Sequence, residues 1–125
     1  MSAMGSTIKR NLQLSNCDEK KSITGEVIEK IENNSIIKSF SFPAKIFNIL
    51  FTRTGVGMYY GPHNDVPYIK TGRRDLSFTI FLNNPTEYEG GELILYITPE
   101  KKKIKLNPET TAIKSIYNYK RYIIY

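Results

Sequence analysis

Two hydrophobic rhythms divide the chain. Between Ser22 and Phe40, the positions Val27, Ile28, Ile31 and, less regularly, Ile36 recur at helical spacing among charged and polar residues. This predicts a helix from about Ile23 to Asn33, with Ser22 as N-cap and Asn33-Asn34 as its stop. Its apolar stripe needs a partner surface, expected to be a sheet. From Phe42 onward the rhythm shortens. Pro43 resists continuing a helix, and Ala44 to Thr52 (AKIFNILFT) reads as a strand buried on at least one face. Gly55 and Gly57 mark a turn or bulge, and Asp75 to Leu82 (DLSFTIFL) is a largely buried strand. Residues 83–91 form a loop by composition, Glu92 to Thr98 (ELILYIT) is the next strand, and Pro99 to Lys103 turns the chain into a short strand over Lys103 to Leu106. Ahead of the helix, Asn11 to Leu14 is a short extended piece, and residues 1–10 are loosely ordered by composition. The pattern is that of a mainly β, mainly antiparallel fold with a packed helix.

Composition narrows the picture. At 125 residues and 14.4 kDa the chain is expected to be a single domain with one modest core, and 40% hydrophobic against 24% charged residues excludes wholesale disorder. The formal charge is +6, which raises nucleic acid as a partner. The basic residues are scattered, however, except for Lys101 to Lys103, which read as a solvated turn, so nucleic-acid binding is not the expected function. The single cysteine, Cys17, excludes an internal disulfide and a cysteine-based zinc cluster, and reads as a structural residue. No apolar run reaches the length of a membrane span, and the start lacks a secretory pattern, so a cytoplasmic protein is expected.

The candidate chemistry lies in GMYYGPHNDVPYIKTGRRDLSFTIFL, residues 57–82. His63, the only histidine, stands two positions before Asp65. On an extended backbone, side chains two apart point to the same side, so imidazole and carboxylate can reach one cation. An open iron(II) site takes two histidines and one carboxylate on one face. His63 and Asp65 fill two of those places, and the composition supplies no second histidine. Tyr59 and Tyr68 read as amphipathic packing residues, while Arg73 and Arg74 read either as exposed charges or as groups that position an acidic substrate.

The order Arg53, Gly57-Met58, Tyr60-Gly61, His63, Asp65, then Arg73, Asp75-Leu76-Ser77, and Tyr88-Glu89-Gly90-Gly91-Glu92-Leu93 resembles the iron(II) and 2-oxoglutarate-dependent dioxygenases of the prolyl-hydroxylase group, in particular the PKHD-type hydroxylases. The resemblance runs from about Lys9 to Ala112 and implies a double-stranded β-helix, or jelly roll, present here in part. It implies hydroxylation of a prolyl or other C–H position on a protein or small-molecule substrate, with Fe(II), 2-oxoglutarate as cosubstrate and ascorbate as reductant. It carries His63 and Asp65 over as catalytic metal ligands, Tyr60 as a cosubstrate contact, and Gly90 and Gly91 as backbone requirements. The family pattern also calls for a later histidine followed by an arginine that pairs with the distal carboxylate of 2-oxoglutarate. After Ala112 the chain reads IKSIYNYKRYIIY, without a histidine, Arg121 does not follow one, and Thr54 stands where many relatives carry a tyrosine. The expectation is a partial domain, 1–125, that departs from the family pattern over 113–125. The alternative is a catalytically inactive jelly-roll module that binds a peptide or protein.

Overall fold

The computed structural model describes residues 9–46, 49–97, 100–115 and 122–124. The chain divides into two compact units, Met1–Gly61 and Pro62–Tyr125. The described chain is rich in β-strand and carries two helices.

In the first unit, helix α1 spans Asp18–Asn33 and helix α2 spans Ser35–Ser41. The first helix begins five residues ahead of the predicted start, and Ser22 lies inside it. Its N-cap is Cys17, extended at φ −153 and ψ 169, whose Sγ accepts from the Lys20 N–H at 3.4 Å. The opening turn is polar throughout, so apolar periodicity cannot reveal it. Asp18 and Glu19 there, with Lys30 in the last turn, match the helix dipole at both ends. The predicted stop holds. Asn34 closes α1 with its N–H on the Ile31 carbonyl, 3.2 Å, and opens α2 by accepting from the Ile37 N–H at 3.0 Å. The two helices pack together, with Ile31 and Ile37 buried on either side of that shared cap. The second ends at Phe42 in the left-handed region, φ 43, with its ring exposed.

The strands of this unit form two separate two-stranded ladders. Strand β1 (Lys9–Arg10) pairs antiparallel with β4 (Tyr59–Tyr60), and β2 (Leu12–Gln13) pairs antiparallel with β3 (Thr52–Arg53). The Leu14 N–H continues the ladder to the Phe51 carbonyl at 2.9 Å. Pairing of Arg10 with Tyr59 and of Leu12 with Arg53 leaves residues 54–58 opposite Asn11 alone. They are looped out as a long bulge. Gly57 supplies φ +74, and the Met58 N–H closes the turn on the Gly55 carbonyl at 3.0 Å, as the glycine spacing predicts. Of the strand expected over 44–52, among the described residues Thr52 is in a strand and Phe51 accepts the last bond of its ladder; residues 47 and 48 lie outside the described ones.

The second unit opens with a small hairpin, β5 (Tyr68–Ile69) with β6 (Gly72–Arg73). Strand β7 (Leu76–Ile80) falls within the predicted 75–82 and pairs antiparallel with β10 (Thr111–Ser115). Strand β11 (Tyr122–Ile124) pairs antiparallel with the other edge of β10. Central position buries Thr111, Ala112 and Ile113. A separate hairpin joins β8 (Leu93–Ile97) to β9 (Glu100–Ile104), with Leu95 and Ile104 buried. Lys101 to Lys103 therefore sit inside a strand, contrary to the expected turn. Pairing with β8 explains it: the ladder runs from Ile97–Glu100 to Leu93–Ile104, so the lysines are held in the strand while all three stay in solvent and only Ile104 is buried. Before this hairpin, Gly90 and Gly91 both adopt φ +70, the backbone role expected of them.

Candidate metal pair

His63 and Asp65 lie in the irregular segment that opens the second unit. His63 Nε2 is 3.4 Å from Asp65 Oδ1, and the two side chains are 28% and 24% exposed. The same-side placement expected of this spacing is present. Asp65 Oδ2 accepts from the Ser77 hydroxyl at 3.1 Å, a bond that reaches across twelve residues to β7. The chain just after Asp65 is pinned by Arg74, whose Nε–H donates to the Val66 carbonyl at 2.8 Å and whose backbone N–H donates to the Pro67 carbonyl at 2.7 Å. Arg73 turns outward and pairs with Asp75 at 2.7 Å, both well exposed. Sequence reading did not find Ser77 or Arg74 as supports of the pair. The only local signal was a hydroxyl inside the apolar run LSFTI.

Donor chemistry can be tested on this geometry. Nitrogen and oxygen ligands bound about 2.0–2.2 Å from one cation, at right angles, stand roughly 3 Å apart. The observed 3.4 Å between Nε2 and Oδ1 is close to that value, so the pair fits two adjacent coordination positions. Among the described residues, no group of three or more His, Cys, Asp or Glu is arranged to hold a metal. Among the described residues, the pair therefore offers two neighbouring donors, His63 Nε2 and Asp65 Oδ1.

Tyr60, the expected cosubstrate contact, belongs to the first unit, in β4 opposite Lys9. Its ring is half exposed and carries the Lys9 ammonium 5.1 Å from its centroid. Tyr59 and Tyr68, expected as amphipathic packing residues, are 52% and 65% exposed. Both sit in two-residue strands, too short to bury a side-chain row.

Comparison with known proteins agrees with the residue pattern. The 2OG-Fe(II) oxygenase superfamily matches over residues 49–120, a stretch that contains His63, Asp65 and Ser77. A PKHD-type hydroxylase of Prochlorococcus marinus strain MIT 9301 is 48% identical over 104 residues, 82% of this chain and 47% of that protein. One from strain MIT 9211 is 46% identical over 102 residues, 80% of this chain and 46% of that protein. One from strain MIT 9313 is 43% identical over 100 residues, 79% of this chain and 45% of that protein. No solved structure matches. The chain spans about half the length of the curated relatives it matches. With its H-x-D pair inside the matched stretch, the chain belongs to the 2OG-Fe(II) oxygenase superfamily, and its relatives there are PKHD-type hydroxylases.

Proposed function

We propose that this chain carries part of an iron(II)- and 2-oxoglutarate-dependent hydroxylase, built on a jelly roll, that acts on a prolyl or other C–H position of a protein or small-molecule substrate in the cytoplasm. His63 Nε2 and Asp65 Oδ1 are two of the iron ligands, and the observation that carries this reading is their 3.4 Å approach on one side of the backbone. The group supplies, when bound, a site where dioxygen oxidises 2-oxoglutarate and the substrate C–H bond together; ascorbate keeps it reduced. The chain's own residues supply orientation. Arg74 fixes the backbone of Val66 and Pro67, and Ser77 occupies the second carboxylate oxygen of Asp65.

A second reading is favoured by the donor count. With one histidine in 125 residues, a metal-independent β module that binds an extended peptide at a sheet edge requires no third ligand. Decarboxylation of 2-oxoglutarate separates the two. The enzyme reading expects carbon dioxide release above background in the wild-type chain with Fe(II), and loss of that excess in His63→Ala. Equal background in both proteins would remove the enzyme reading for this chain and leave the binding module.

A further inference from the structure

We propose that Ser77 is the positioning residue of the His63–Asp65 pair: its hydroxyl holds Asp65 Oδ2 and thereby keeps Oδ1 turned toward His63 Nε2. The inference rests on reading that pair as cation ligands. An aspartate side chain exchanges among staggered rotamers about its Cα–Cβ bond, so its carboxylate can swing away from a neighbour unless one oxygen is tied. Here one is tied at 3.1 Å, and the other is the oxygen that meets the imidazole at 3.4 Å.

The tie comes from a rigid element. Ser77 is the second residue of β7, and its backbone is registered against Lys114 of β10, with pairs from Thr111–Ile80 to Ser115–Leu76 along the same ladder. The bond spans twelve residues, so it is tertiary and not a local turn contact. Arg74 supplies the complementary restraint. It fixes the backbone directly after Asp65 through two carbonyls, and Ser77 fixes the side chain. Backbone and side chain are thus held from one continuous stretch, residues 74–77. Such outer partners of metal-binding carboxylates carry about 10–100-fold of metal affinity.

The test compares wild type, Ser77→Ala and Ser77→Thr in the full chain. Titration with Co(II) alone, followed by calorimetry, reads cation affinity. Three-bond couplings at the Asp65 β-carbon, measured by NMR without metal, read whether its side chain holds one rotamer. Thermal unfolding without metal reads the structural contribution. The expected result is about a 10–100-fold loss of Co(II) affinity in Ser77→Ala, averaged Asp65 couplings in that variant, and recovery of both in Ser77→Thr, which keeps the hydroxyl. A general loss of stability would not be repaired by threonine at both readouts. Unchanged Asp65 couplings in Ser77→Ala overturn the proposal, as does Co(II) affinity equal to that of wild type. If the wild-type chain takes up no Co(II), the cation reading itself fails, and the metal-free couplings still decide whether Ser77 orients Asp65.

Discussion

Alanine substitution at Gly91 should cost more than the same change at Gly90, although both residues share φ +70. Forcing an L side chain into the left-handed region costs about 1–2 kcal/mol, and this term applies equally to both. The surroundings differ. A Cβ at Gly90 meets nothing within 4 Å, whereas one at Gly91 stands 3.1 Å from Tyr88 Cε2 and 3.3 Å from Cδ2. The ring must yield by a few tenths of an ångström. It is not free to do so, because the Lys105 ammonium sits 4.0 Å from its centroid and also donates to the Tyr88 carbonyl. Disturbing that cation–π contact forfeits about 0.5–1 kcal/mol at a partly exposed site. Gly90→Ala should therefore lose about 1–2 kcal/mol and Gly91→Ala about 0.5–1 kcal/mol more. Native-state hydrogen exchange at the Leu95 and Ile104 amides of the adjoining hairpin reads the local stability. In a Tyr88→Ala background, the excess at Gly91 should vanish. Equal costs at the two glycines, or an excess that survives removal of the ring, would refute the reasoning.

Asn34→Ala should destabilise the helical pair by about 1 kcal/mol, because it removes the cap of α2 at the joint with α1; loss of helical circular dichroism on urea titration checks this. Cys17→Ser should gain several tenths of a kcal/mol, since a hydroxyl accepts from the Lys20 N–H better than the Sγ now 3.4 Å away. An unchanged or lower urea midpoint would contradict it. Ile104→Ala, at a residue 3% exposed, should cost about 2–5 kcal/mol, read as faster amide exchange across the β8–β9 hairpin. Phe42→Gly should raise stability by about 1 kcal/mol, because it relieves φ 43 at a helix end and removes an exposed ring. A lower melting temperature would show that the Phe42 ring has a packing role.

What was legible in the sequence follows from the range of each interaction. The His63–Asp65 approach joins residues two apart in the chain, and the glycine turns rest on single backbone positions. Both are local, so spacing reveals them. The interior of α1 was legible from Val27, Ile28 and Ile31, but its first turn was not, because DEKKS has no apolar rhythm and its cap is a cysteine. The second helix escaped because Asn34 reads as a stop, although the same side chain restarts the helix one residue later. Lys101 to Lys103 carry no apolar signal for a strand, and the partner that fixes it, β8 with Leu93 against Ile104, lies across the hairpin. Ser77 is the clearest case of this limit. Its bond to Asp65 joins residues twelve apart and exists only once β7 is in place against β10.

The most direct test of the central claim, that His63 and Asp65 form a cation-binding pair, is an anaerobic Fe(II) titration of the full chain beside His63→Ala and Asp65→Ala. The expected result is saturable binding of one ion per wild-type chain and its loss in each variant. Equal binding in all three proteins, or no binding in any, would contradict the claim.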